Sequence, residues 1–372
     1  MKRLLPVLLM FVAVATFAAT KAPTKKSSTK TATTAKVPAT PVPPTAVGQD
    51  SLIRPGERHF VHLWQLTFGG ENAEGYFSAD GKKLIWQSTH GEWPCDQMYL
   101  MDLATGEQHR VSTGKGRTTC GYFYDKDQRV LWSSTHAGAD SCPPRPDYSH
   151  GYVWPVYPDY DIWTSKLDGT DLQRLTDTPG YDAETTVSTD GQWLLFTSLR
   201  DGDLDLYKMH PNGTGLTRLT NKPGYDGGGF FSRDGKWIVW RAYYPTDSAL
   251  AQYRELLGRH LVRPLEMNLW VARADGSEPK QITNKPGASF APYFTPDGHE
   301  VIYSSNWENP RGRNFDLYLV DVRGGEPEAV TRDEQFDGFP MFSPDGRMLV
   351  FASNRGGKMP GETNLFLAEW RP

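Results

Sequence analysis

One short phrase recurs along this chain and constrains its fold more than any other feature. It reads Phe77-Ser78-Ala79-Asp80-Gly81, then Val187-Ser188-Thr189-Asp190-Gly191, Phe231-Ser232-Arg233-Asp234-Gly235, Phe294-Thr295-Pro296-Asp297-Gly298 and Phe342-Ser343-Pro344-Asp345-Gly346, with a degenerate copy at Tyr124-Asp125-Lys126-Asp127-Gln128. Asp-Gly supplies the positive backbone angles that a tight hairpin turn needs. An apolar run follows each copy: Leu84-Ile85-Trp86, Val130-Leu131-Trp132, Leu194-Leu195-Phe196, Ile238-Val239-Trp240, Val301-Ile302-Tyr303 and Leu349-Val350-Phe351. A third strand comes next, as in Asp205-Leu206-Tyr207 or Asp316-Leu317-Tyr318, and then a closing segment such as Arg218-Leu219-Thr220. Four strands per copy, at a period of roughly 45 to 65 residues, are the mark of propeller blades. Six copies predict an all-β fold, a six-bladed β-propeller with four antiparallel strands per blade.

The last blade has no closing segment after its third strand, because the chain stops at Pro372. The missing copy stands at the front, Leu63-Trp64-Gln65-Leu66-Thr67. The N-terminal strand is therefore expected to complete the last blade, which leaves no unpaired strand edge.

In an up-and-down blade the first-to-second and third-to-fourth turns share one face of the disc, and the second-to-third loops and inter-blade links share the other. Only minimal turns fall on the first face. The long segments, His136 to Tyr160 in blade 2, Ala242 to Glu266 in blade 4, Asn306 to Asn314 in blade 5 and Asn354 to Thr363 in blade 6, all fall on the second, which is the expected working face. Within the blade-4 loop, Ser248 to Val262 has helical spacing, with Ser248 as its cap. The blade-2 loop carries Tyr152, Trp154, Tyr157 and Tyr160 among prolines. These aromatics suit peptide or sugar contact, and equally a self-packed lid.

Residues 1–18 read as a signal peptide, Lys2-Arg3 followed by an apolar run to Phe17, and residues 19–56 as a disordered Thr/Lys/Pro/Ala-rich linker before a propeller at 57–372. Localisation is then periplasmic, and no later stretch is apolar enough to span a membrane. Seven basic residues and no acid precede Asp50; without them 33 basic residues face 44 acids, a net charge of about −11. An acidic propeller argues against nucleic acid as a partner. A monomer is expected.

Candidate site residues come from aligning the copies. The links entering the innermost strands carry Asn72, Thr119, Asp182, Asp226, Ser289 and Asp337, with Glu74 and Glu184 two places further on. They are expected to ring the channel mouth and bind a basic peptide end or a cation. The same residues also suit turn capping. After the second strands stand His90 and His136, and in the matching places Arg200 and Arg355. Two His and the cysteines Cys95, Cys120 and Cys142 on one face of blades 1 and 2 allow a zinc-type site, although no compact zinc spacing is present. In an exported chain one disulfide and one thiol is the simpler reading, with Cys95 and Cys142, in matching loops of adjacent blades, as the pair. No cofactor is predicted, with a divalent cation left open. No nucleophile elbow, phosphate loop or paired zinc-protease histidines occur, so nothing demands an enzyme.

Phe-Ser-Pro-Asp-Gly, a strand ending in Ser-Asn-Arg or Ser-Leu-Arg, Asp-Leu-Tyr and a closing Leu-Thr together resemble the repeats of the TolB-type six-bladed propeller, from Phe60 to Pro372. The resemblance implies a periplasmic module, more a binder than an enzyme, whose decorated face engages a protein partner, typically a peptidoglycan-associated lipoprotein. By position it carries over Asp182, Asp226, Asp337, Arg200 and Arg355, joined as candidate contacts by Asn72, Glu74, Glu184, Ser289, Tyr152 and Trp154. TolB proper has a globular domain ahead of its propeller, where only a linker stands here. The alternatives are a metal-dependent carbohydrate lyase or hydrolase using His90, His136 and the mouth carboxylates, or a glycan or peptidoglycan binder using the Tyr152 to Tyr160 loop.

Overall fold

Six four-stranded antiparallel sheets follow one another along the chain in the computed structural model, which describes residues 39–149 and 151–372. Each runs from the centre outwards. Their innermost strands are Glu71–Phe77, Thr118–Tyr124, Asp182–Val187, Tyr225–Phe231, Ser289–Phe294 and Asp337–Phe342. The proposed signal peptide and the first part of the proposed linker lie outside the described residues.

Closure occurs as the repeat count requires. Phe60–Gln65 pairs antiparallel with Asn364–Trp370, the third strand of the last blade, through Leu63–Ala368, Trp64–Leu367 and Gln65–Phe366. Val47–Gly48 adds a fifth strand outside it, and Thr40 is buried against the turn carboxylate of Asp345. The linker expected up to residue 56 is thus packed on the last blade over its described part. Its backbone finds partners there, as in Gln49 N–H to Leu63 O at 2.7 Å, which sequence composition alone did not reveal.

The repeated letters have repeated jobs. The Ser or Thr of the turn phrase bonds the Asp two residues on and accepts from the backbone N–H five residues on: Ser78 to Asp80 at 2.8 Å and Lys83 N–H to Ser78 at 2.9 Å, with the same pair at Ser188, Ser232, Thr295 and Ser343. Blade 2 lacks this serine and turns on left-handed Asp125, Lys126 and Asp127 instead. The closing Thr or Ser accepts from the third strand's backbone in all six blades, at 2.8–3.0 Å for Ser112, Thr176, Thr220, Thr283, Thr331 and Thr67. Thr67 does so for the last blade, although it lies some 300 residues before its partner Leu365.

Packing is equally periodic. An aromatic residue of each second strand faces an aromatic of the third: Trp86–Tyr99, Trp132–Trp163, Phe196–Tyr207, Trp240–Trp270, Tyr303–Tyr318 and Phe351–Phe366. The six second-strand rings are at most 2% exposed. Burying such a ring contributes roughly 1.5–3 kcal/mol, and a favourable cross-strand aromatic pair adds about 0.5–1.5 kcal/mol.

Both large insertions lie on one face and touch. Trp154–Pro155 of the blade-2 loop pairs with Leu261–Val262 of the blade-4 loop as a two-stranded strap. The helix in the blade-4 loop is Asp247–Leu257, shorter than the expected Ser248 to Val262, and it buries Tyr253 and Leu257. It stops at Gly258, turns through left-handed His260, and releases Leu261 and Val262 to the strap. Thr246, not Ser248, is its N-cap residue. Val156, Tyr160, Tyr181, Leu204, Tyr225, Tyr253, Leu257 and Val262 form one apolar cluster beneath it.

Candidate functional site: a roofed cup at the working-face mouth

Every innermost strand breaks register at the same place, and each break holds one left-handed residue: Glu74, Cys120, Glu184, Gly228, Ala291 and Phe339, with φ between 50° and 60°. These are β-bulges, which re-aim a side chain at the rim of a sheet. Two residues deeper the axis is closed. Tyr76 meets Phe230 at 5.6 Å, although blades 1 and 4 face each other across the ring, and Tyr122 and Tyr293 complete the plug. The mouth is therefore a blind cup with an aromatic floor.

Blade 4 fills its slot from elsewhere. A Cβ on Gly228 would sit 1.8 Å from Arg241 Nη1, so glycine there is what admits the guanidinium. Arg241 forms an ion pair with Glu184, donates to Tyr225 Oη at 2.7 Å, and lies under the Trp154 ring at 5.0 Å. Glu184 also accepts from Thr197 Oγ1 at 2.7 Å and from Gly228 N–H at 2.9 Å. Trp154 reaches on to Phe290 of blade 5, edge to face at 6.2 Å, and so roofs the cup from the strap. Phe290, Phe339 and Phe336 make its apolar wall.

The lining is chemically uneven. Glu74 is pushed up to about 7, first by burial and then by the negative charge of Glu184, while the Cys120 thiol and Arg241 pull it back. Burial, and then Glu74 and Glu184, hold the Cys120 thiol well above its usual range, so it is a poor nucleophile.

The aligned column of expected mouth residues lands elsewhere. Asn72, Asp182, Asp226, Ser289 and Asp337 are at most 4% exposed and point into the blades. Asn72 accepts from Trp86 Nε1 at 3.1 Å, Ser289 meets Ser305 at 3.2 Å, and Asp226 accepts from Trp240 Nε1 at 2.6 Å and from Tyr244 Oη. Burial raises Asp226 to about 7. Arg200 and Arg355 close on their own blades: Arg200 on Asp182 at 2.9 Å, and Arg355, fully buried, on Asp337 at 2.7 Å and Glu57 at 3.1 Å. In blade 2 the residue in register with this column is Thr118, opposite Ser134, not Thr119. The degenerate turn hides a one-residue offset.

The histidines do not converge. His90 is exposed, whereas His136 is half-buried, bonded to Ser134 Oγ at 2.7 Å and packed on Trp163 at 4.1 Å, with burial lowering its pKa. Among the described residues no three His, Cys, Asp or Glu side chains gather to hold a metal. Cys95 and Cys142 are joined by a disulfide, which ties the blade-2 loop to blade 1, and Cys120 is the free thiol. On the outer surface Tyr148 and Tyr152 stack at 6.0 Å and stay 47% and 53% exposed.

Of the expected contacts, the structure places Glu74, Glu184 and Trp154 at the cup and Tyr152 on its outer rim. Cys120, expected only as a metal ligand or a thiol, lines the cup, and Gly228, Arg241 and Phe339 were missed. A bulge column read in the correct frame carries all of them except Arg241, whose signal is the Gly-Gly-Gly at 227–229 facing an arginine in the next strand.

A TolB beta propeller domain profile matches residues 263–360. No curated protein matches the sequence significantly. Among solved structures, a TolB candidate from Agrobacterium tumefaciens is similar at 21% identity and TM-score 0.54, over 82% of this chain and 91% of that one. TolB from Acinetobacter baumannii is similar at 18% identity and TM-score 0.54, over 77% of this chain and 63% of that one. An oligogalacturonate lyase from Vibrio parahaemolyticus is similar at 13% identity and TM-score 0.51, over 87% of this chain and 97% of that one. At these identities the likeness speaks for the fold. The chain thus carries TolB-type repeats over residues 263–360 and has the six-bladed propeller fold also seen in TolB.

Proposed function

We propose that this protein is a non-enzymatic interaction module of the periplasm that binds a protein or peptide of the cell envelope on its decorated face. The observation that carries this reading is the construction of that face. Two insertions from blades 2 and 4 brace each other through the strap, one of them is tied to blade 1 by the disulfide, and together they hold a stacked tyrosine pair in solvent beside a roofed cup. Rigid, exposed aromatics on a supported loop are the usual anchors of a protein interface. Among the described residues no helix is long and apolar enough to cross a membrane, which is compatible with an exported domain. A peptidoglycan-associated lipoprotein is the first partner to try. The lyase alternative is not carried forward, because His136 is occupied within its own blade and His90 is not gathered with other ligands.

The test is crosslinking capture from envelope extract with the tagged wild type and with Tyr148→Ser/Tyr152→Ser. A defined species captured by the wild type and lost from the double variant supports the reading. Capture that ignores both tyrosines contradicts it.

A further inference from the structure

The six bulge slots are not equivalent, and their order suggests what enters the cup. Blades 1 to 3 contribute Glu74, Cys120 and Glu184, blade 4 admits the Arg241 guanidinium over Gly228, and blades 5 and 6 contribute Ala291 and Phe339. One side is acidic, one point is cationic, and the remaining side is apolar.

Charge is not balanced across this ring. Arg241 answers Glu184. Glu74 has no cation within ion-pair distance among the described residues; its neighbours are the Tyr76 hydroxyl at 3.5 Å and the Cys120 thiol. A second observation is independent of the acids. Arg241 is only 8% exposed, yet its Nε–H, buried beside the cup, has no acceptor. An orphan buried donor in an otherwise satisfied network marks a place where a partner is missing. Glu74, Cys120, Glu184 and Phe339 all stay half-buried, so the cup remains open to water.

The two unmet groups ask for complementary things: a cation for Glu74 and an oxygen acceptor for Arg241. A lysine side chain supplies the first without the second. An α-amino group supplies both, because its own carbonyl is two bonds away from the nitrogen, and its side chain can lie on the Phe339 and Phe290 wall.

We infer that the cup captures a free α-ammonium together with the adjacent carbonyl, as presented by the N-terminal residue of a polypeptide or by a free amino acid, with an apolar side chain against Phe339. Capture of a chain's amino end by a few converging polar groups is an established recognition mode. The floor of Tyr76, Tyr122, Phe230 and Tyr293 closes the axis beneath the bulges, so a chain end enters from the decorated face and does not thread through. This inference rests on the working-face reading above, but a partner can also bind the tyrosine rim without using the cup, so the two can fail separately.

The experiment is isothermal titration of the full chain with Phe-Ala-Ala-amide, its N-acetylated form and phenylalanine, each up to about 5 mM. The free-amine tripeptide should bind at least about tenfold more tightly than the acetylated one, and Glu74→Gln should remove that difference. The preference should follow a bell with pH, falling below about pH 7 as Glu74 takes up its proton and above about pH 8 as the peptide amine loses its own. Phenylalanine binding as tightly as the tripeptide would assign the site to a free amino acid, and weaker binding to a chain end. Equal binding of the free and acetylated peptides, or no binding of either, overturns the inference without touching the interaction reading. The acetylation comparison uses the wild type, so it stands even if Glu74→Gln folds poorly. Phe339→Ser then checks the apolar wall, with at least about tenfold weaker binding expected.

Discussion

Arg355→Leu is the substitution whose outcome follows most directly from the closure of the ring. Glu57 precedes the N-terminal strand, Asp337 opens the innermost strand of the last blade, and Arg355 bonds both; all three side chains are fully buried. Glu57 also accepts from Arg332 N–H at 2.9 Å and from Arg54 N–H at 2.8 Å, so its position is set by backbone as well as by charge. Removing the guanidinium leaves two buried carboxylates without a counter-ion, one of which, Asp337, is already raised by burial. Breaking a buried charge cluster from the side of its one cation among the described residues costs about 3–5 kcal/mol. Asp337→Asn takes the cluster from −1 to neutral and keeps the bond that Asp337 accepts from Arg355, since its other oxygen has no partner among the described residues, so it should cost about 1 kcal/mol or less. The assay is urea unfolding followed by tryptophan fluorescence at pH 7 and again near pH 5. Arg355→Leu should lose the stated amount at pH 7 and recover part of it at the lower pH, as the orphaned acids protonate. An Asp337→Asn variant as damaged as Arg355→Leu, or an Arg355→Leu deficit independent of pH, would show that charge is not what locks the closure.

Other consequences are simpler. Asp226 has a folded-state pKa of about 7 against an unfolded value near 4, so its contribution is fully present in acid and is lost as pH rises towards 7; Asp226→Asn should stabilise the fold by roughly 1–3 kcal/mol at pH 8, have little effect at pH 4, and flatten the pH profile of unfolding. The Cys95–Cys142 bond spans 47 residues, so Cys142→Ser should cost up to about 4 kcal/mol of chain entropy, seen as a lower urea midpoint and faster protease nicking of the blade-2 loop. Gly228→Ala places a methyl group on Arg241 at a left-handed position and should expel the guanidinium from Glu184, lowering the melting temperature and abolishing ligand binding in the cup together.

Much of the ring was legible because each blade repeats a physical requirement. A turn serine has to hold its aspartate, an aromatic has to meet another across the strands, and a threonine has to cap the third strand; Thr67, standing far ahead of its partner Leu365, gave away the closure by that last rule. The cup was legible in part. Asp182, Asp226 and Asp337 stood out as acids, but a strand's alternation sends them into the blade, and one bulge later Glu74 and Glu184 are re-aimed at the axis. Bulges leave little trace in a single copy. Arg241 was invisible to a column-by-column reading, because it reaches its slot from the neighbouring strand over a glycine. The strap was also beyond local pattern, since Leu261 fits the helical spacing of Leu250 and Leu257 and only its pairing with Pro155 decides otherwise.

The central claim is that binding belongs to the face carrying the strap, the tyrosines and the cup. A photoreactive residue placed at Tyr152 on that face, compared with one at the exposed Asn212 turn on the opposite face, tests it inside intact cells. The account predicts a discrete crosslinked adduct from position 152 and none from position 212. Adducts from position 212 alone, or the same adduct from both, would contradict it.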